Sequence, residues 1–374
     1  MSTGTDRVYL DYAGFGRLRP PAVAAMRTAL EEVLPYGSAE VGRLFGARNA
    51  ARRSVARLLD CTPEEVAFVP STSSAIHLVA DGLDWRPGDR IVLFDRDFPA
   101  NVRPWQRLRR HGVELDWVPM RDGGHRIEDV AAAIGPATRL VAVSHVNFAT
   151  GFRCDLDRIC ALAAEVGALV CVDAVQSLGA LPLSVAATPV DFLAAGAHKW
   201  LCGPPGTGVF YCRADRLELL RTTPTGWFGY QGAAEVSKGP GHLRYDLPER
   251  AGAARVEGGM YDLVGMAGLA AALVELEETG ITAVTDRVGA LADRLRTGIA
   301  GLGYDLAVPP DSAGHSGVIG FSSRRTEGVE IVRRLAEAGI QVSVPDGLVR
   351  VSAHFWTTDE EVEKILSELS VQKS

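Results

Sequence analysis

Through the first two thirds of this 374-residue chain, short apolar runs of strand length alternate with amphipathic helical stretches. That alternation restricts the fold more than any other feature, because strands separated by helices build a parallel sheet covered by helices on both faces. The spacing predicts strands over residues 65–69, 90–94, 114–118, 139–144, 168–173, 191–195 and 208–212. Between the last pair but two lies a helix over 155–166, in which Ile159, Leu162, Ala163 and Val166 share one face. The first long helix is expected to start at Pro20 or Pro21, since proline suits a first turn whose amides have no intrahelical partner. After about Gly258 the pattern changes to two long helices, 263–278 and 281–302. Shorter strands follow at 317–321, 341–344 and 349–352, with a helix over 329–338. The chain therefore reads as α/β: a large domain (21–258) built on the parallel sheet, and a smaller α+β domain made of 1–20 and 259–374.

Composition narrows the function classes. A formal charge of -7 and a pI near 5.7 provide no basic field for nucleic acid or an anionic membrane surface. Asp173, Gln176 and Asp191 interrupt the most apolar stretch, and the N-terminus lacks a signal-peptide core, so a soluble cytoplasmic protein is expected. Six cysteines, Cys61, Cys154, Cys160, Cys171, Cys202 and Cys212, show neither paired spacing nor histidine partners, which points to reduced thiols and no metal site. Lysine is scarce. Of the 39 basic residues only Lys199, Lys238, Lys364 and Lys373 are lysines, and Lys199 alone lies between buried-strand patterns.

In open parallel sheets, ligands gather beyond the carboxyl ends of the strands. ALVCVDAVQSLG ends a strand with Asp173, which can pair with a protonated heteroaromatic nitrogen, and Gln176 follows on the turn within reach of a ring oxygen. Taken alone, Asp173 reads equally well as a helix N-cap. GAHKWLCGPPGTGVFY places His198 and Lys199 between apolar runs, where desolvation favours a neutral amine able to attack an aldehyde. FVPSTSSAIHLVA breaks into hydroxyl residues before a helix, so Thr72 and Ser73 form either a phosphate cup or an ordinary cap.

The ordered set LDYAGFGRL, FVPSTSSAIHLVA, DRDFPANVRPWQ, SHVNFATG, VCVDAVQSLG, GAHKWLCGPPGTGVFY, RVEGGMYDLVGMAGLAAAL and VRVSAHFWTTDEEVEKI resembles the class V aminotransferase group of fold-type I pyridoxal-phosphate enzymes. That group includes cysteine desulfurases, selenocysteine lyases and isopenicillin N epimerase-like proteins. The resemblance implies pyridoxal 5'-phosphate held as a Schiff base on Lys199, with Asp173 at the pyridine nitrogen and Gln176 at the phenolic oxygen. It further implies phosphate binding by Thr72, Ser73 and His198, ring stacking by Phe98, Asn147 near cofactor and substrate, and Arg350 for the substrate carboxylate. A homodimer acting on an amino acid is implied as well. Arginine suits the carboxylate because its fork can offer two parallel N-H bonds.

Three departures bear on the reaction. The stretch AGIQVSVPDGLVRVS lacks the mobile cysteine of a desulfurase, Gly196 and Ala197 stand where the family often has a phosphate-binding serine, and Met260 replaces a common threonine. The leading expectation is a C-S β-lyase on an S-substituted cysteine. Transamination or epimerisation of an amino acid, cysteine desulfuration, and a catalytically silent binding protein are the alternatives. Trp227, Phe228, Tyr230 and Tyr36 are candidate pocket residues.

Overall fold

The computed structural model describes residues 7–221, 226–260 and 262–371. Strand β1 is Val8–Tyr9, and seven strands build the main sheet: β2 Val66–Val69, β3 Arg90–Phe94, β4 Glu114–Val118, β5 Thr138–Ser144, β6 Leu169–Asp173, β7 Phe192–Gly196 and β8 Gly208–Cys212. Their order across the sheet is β2-β8-β7-β6-β5-β3-β4, and β8 alone runs antiparallel to its neighbours. Each expected strand of this sheet is present, with ends displaced by no more than a residue.

Apart from the edge strand β4, whose Glu114 and Trp117 are exposed, the continuous apolar character of these strands follows from their being covered on both faces. Side chains alternate between two cores with a period of two residues. Val92, Phe94, Val170, Val172, Val209 and Tyr211 join one core, to which Ile159 and Ala163 of the helix Leu156–Glu165 belong. Ile91, Leu93, Leu169, Cys171, Phe210 and Cys212 join the other, packed under Ile76 and Val79 of the helix Thr72–Gly82.

Four further strands follow: β9 Asp305–Leu306, β10 Val318–Ser322, β11 Ile340–Gln341 and β12 Val349–Ser352. β9, β10 and β12 form an antiparallel sheet, and β11 pairs in parallel with β1 near the N-terminus. Around them a third core gathers Val8 and Leu10 with Leu295, Ile331, Val351 and Ile365. The strand expected over 341–344 is therefore corrected to Ile340–Gln341. Past it only Ser343 bridges Arg350, because Pro345 and Gly347 turn the chain back into β12.

Candidate active site

The carboxyl ends of β2, β3, β5, β6 and β7 share one edge of the main sheet, and the N-terminal segment crosses in front of it. There, Gly16 N donates to His198 O at 2.6 Å. A Cβ on Gly16 would fall 2.0 Å from Lys199 O, so only glycine permits this approach. A pocket of about 350 Å³ opens at this edge, and its wall includes Lys199, Asp173, Thr72, Ser73, Phe98, His198 and Arg350. Seven of the nine residues expected at the site from sequence are thus brought together from five separate stretches of the fold.

Lys199 sits in the turn after β7, and Cys202 N closes that turn on Lys199 O. Burial holds its amine below the ordinary lysine range, an effect that Asp173 opposes and Arg350 reinforces. Asp173 ends β6 and is 2% exposed. Its Oδ1 accepts from Val175 N at 2.9 Å, and burial pushes the carboxyl upward. An acidic group and an amine, each shifted toward its neutral form by burial, therefore face one small cavity.

Phe98 lies 42% exposed on the pocket wall and meets Phe148 edge-on, with centroids 5.1 Å apart. The loop bearing it is fixed by Asp97, which sequence reasoning passed over. This carboxylate accepts from Ser144 Oγ at 2.6 Å, Asn101 Nδ2 at 3.0 Å and Phe98 N at 2.6 Å. Ser144 is the register partner of Asp173, so one acid ties the aromatic loop to the strand beside the catalytic edge. The rule about strand ends would have found Asp97 and Ser144 had it been applied to every strand.

At the helix Thr72–Gly82 the cap is Ser71, whose Oγ accepts from Ser74 N at 3.1 Å. The first two helix amides, those of Thr72 and Ser73, retain no intrahelical partner, which suits an anion. His198 is kept neutral by burial and by Lys199. A Cβ on Gly196 would lie 2.7 Å from the His198 ring, so the glycine makes room for the imidazole.

Asn147 and Gln176 are buried behind the pocket rather than on its wall. Asn147 Nδ2 donates to Arg96 O at 3.0 Å, while its Oδ1 accepts from the Ala149 and Thr150 amides. Gln176 Nε2 donates to Ala13 O at 2.9 Å and its Oε1 accepts from Trp200 Nε1 at 3.0 Å. Trp227, Phe228, Tyr230 and Tyr36 do not line this pocket. Trp227 and Phe228 pack on each other with centroids 4.4 Å apart, and Tyr36 is an exposed side chain. A larger hollow of about 520 Å³ beside Phe94, His145 and Arg153 contains no lysine, so size alone does not locate the chemistry.

The pocket fits pyridoxal phosphate: a desolvated amine for its aldehyde, a buried acid for its ring nitrogen, an aromatic face and a helix start for its phosphate. Comparison with known proteins agrees. The family model for class-V aminotransferases matches residues 8–365. A probable cysteine desulfurase of Methanothermobacter thermautotrophicus is 32% identical, over 96% of this chain and 92% of its own. Isopenicillin N epimerase of Streptomyces clavuligerus is 30% identical, over 85% of this chain and 83% of its own. Among solved structures, the cystine C-S lyase C-DES with its product cysteine persulfide superposes with a TM-score of 0.88. It is 26% identical, and 98% of each chain is covered. Fold and pocket together define a fold-type I, pyridoxal-phosphate-dependent enzyme. The chain belongs to the class-V aminotransferase family.

Proposed function

We propose that this enzyme is a C-S β-lyase that cleaves an S-substituted cysteine, working as a homodimer in the cytoplasm. The observation that carries the reading is a pocket that joins Lys199 and Asp173 but has no thiol on its wall.

Pyridoxal phosphate, when bound, supplies an electron sink for the pair of electrons left when a proton departs from the substrate Cα. Lys199, held toward its neutral form, takes that proton. Asp173 would pair with the ring nitrogen, Thr72, Ser73 and His198 would bind the phosphate, and Phe98 would cover one ring face. Gln176, buried behind the wall with one Nε2 proton on Ala13 O, would have the other to offer the ring oxygen. Asn147 shapes the turn beside them. Arg350 takes the substrate carboxylate. Loss of the Cα proton and of the thiolate on Cβ gives the thiol, which takes up a proton, and aminoacrylate, whose imine form adds one water and breaks its C-N bond to give pyruvate and ammonia.

Desulfuration requires a cysteine that attacks the substrate sulfur. Five of the six thiols are buried, Cys61 is partly so, and burial raises every one of their pKa values, those of Cys61 and Cys160 to about 12. Epimerisation by two bases needs a second proton carrier across the cofactor from Lys199. Phe98, Phe148, Ala100 and Val175 of the wall carry no titratable group, and its histidine, His198, is the chain neighbour of Lys199.

The test is to incubate the cofactor-loaded protein with S-methyl-L-cysteine and follow pyruvate and ammonia. Equal amounts of both, without a keto-acid acceptor, are expected. Turnover that depends on such an acceptor would replace the lyase by an aminotransferase, inversion at Cα by an epimerase, and persulfide formed from free cysteine by a desulfurase.

A further inference from the structure

Arg350 reaches the pocket from β12 with its charge largely committed elsewhere. A guanidinium has five N-H groups. Nε-H and one Nη2-H point to Ser343 Oγ at 3.2 and 2.9 Å, the other Nη2-H to Asp11 Oδ1 at 3.0 Å, and one Nη1-H to Phe148 O at 2.8 Å. Ser343 Oγ-H in turn donates to the same Asp11 Oδ1 at 2.7 Å, which closes a triangle. Arg350 and Asp11 side chains are 8% and 14% exposed, so solvent screens the pair weakly. One Nη1-H remains for a ligand. The two-bond grip expected from sequence is therefore unavailable unless the triangle opens.

Resting on the active-site reading above, we propose that Asp11 is a specificity-determining residue that limits Arg350 to an end-on, single-bond grip on the substrate carboxylate and half-cancels its charge. Asp11 does not line the pocket, and Gly14 stands against its carboxylate. It acts through Arg350. The consequence is a weak hold on amino acids in general, which leaves discrimination to the side chain beyond Cα and favours release of a carboxylate product.

This predicts a gain of affinity, which damage to the fold would not produce. Holoenzyme is titrated calorimetrically with L-alanine, which has no β leaving group, and with ethylamine, which has no carboxylate. Asp11→Asn keeps an oxygen for Ser343 and Arg350 but removes the negative charge. It is expected to bind L-alanine about fivefold more tightly, with ethylamine unchanged. Ser343→Ala frees Nε-H and one Nη2-H, and is expected to tighten L-alanine about threefold, carrying the same test should the Asp11 variant not fold. Unchanged or weaker L-alanine binding in the folded variant overturns the proposal. A wild-type holoenzyme that failed to prefer L-alanine over ethylamine would instead remove Arg350 from the carboxylate role, and with it the reading on which the proposal rests.

Discussion

Lys199 Nζ stands 5.7 Å from the centroid of the Phe98 ring, so the amine has an aromatic surface beside it in the pocket that it shares with Asp173. Stacked or edge contacts of such rings add about 0.5–1.5 kcal/mol beyond the area they bury. Phe98→Ala is therefore expected to weaken cofactor binding about fivefold, read as the dissociation constant from the visible absorbance of the titrated apoenzyme. An unchanged constant would mean that the ring does not meet the cofactor.

Reduction of the loaded protein with borohydride should fix the cofactor to the peptide containing residue 199. Lys238, Lys364 and Lys373 should stay unmodified by mass spectrometry, and Lys199→Ala should take no label. Label on another lysine, in either protein, would relocate the site.

Asp173→Asn retains a side-chain acceptor for Val175 N but cannot hold a proton on a ring nitrogen by charge. A loss of about 100-fold or more in kcat, with a smaller change in KM, is expected from steady-state pyruvate release. Near-wild-type kcat would show that ring protonation does not depend on this carboxylate.

Glu257 is buried between two arginines of the helix Gly42–Leu59. It accepts from Arg52 Nη2 at 2.7 Å and from Phe68 N of β2 at 2.8 Å, and it also pairs with Arg48. Removing one member of a buried charged cluster leaves the rest uncompensated. Glu257→Ala should lower unfolding free energy by about 3–5 kcal/mol in urea. A loss under 1 kcal/mol would mean that water reaches the two guanidinium groups.

His354 and His145 are buried, and desolvation lowers both pKa values from 6.5 to about 4. His354 Nε2-H donates to Trp200 O at 3.0 Å, leaving Nδ1 without a partner. In the fold both rings stay neutral, while the unfolded chain takes up protons as pH falls below 6.5. Their contribution is complete above 6.5 and is lost toward pH 4, at about 1.4 kcal/mol per pH unit for each ring. His354→Gln should be the less stable protein at pH 7, and the gap should narrow on going to pH 4.5. Parallel stability curves would assign the acid limb to other groups.

The main sheet was legible because its strands carry an unbroken apolar signal and its helices a separate period. The same signal faded where strands are two residues long, as at Ile340–Gln341, whose pairing is decided by the N-terminal segment that reaches it. The placement of Lys199 and Asp173 at one edge was legible for a related reason: Asp173 ends one buried strand and Lys199 follows another, and ligands gather beyond such ends. Tyr36 and Trp227 do not line this pocket, because an aromatic residue type carries no direction: Tyr36 is exposed on a helical turn and Trp227 packs on Phe228.

By itself, the sequence determined the parallel sheet and put Asp173 and Lys199 at or beyond the carboxyl ends of neighbouring strands, since both are written in local periodicity. Only the tertiary structure decided that Asp11 would pair with Arg350, 339 residues away, and that Phe148 O would accept another of its hydrogen bonds. Hydrogen bonds between segments so far apart leave no periodic trace in the chain. They are chosen by the docking of the N-terminal segment against β12, which brings one carboxylate to one guanidinium.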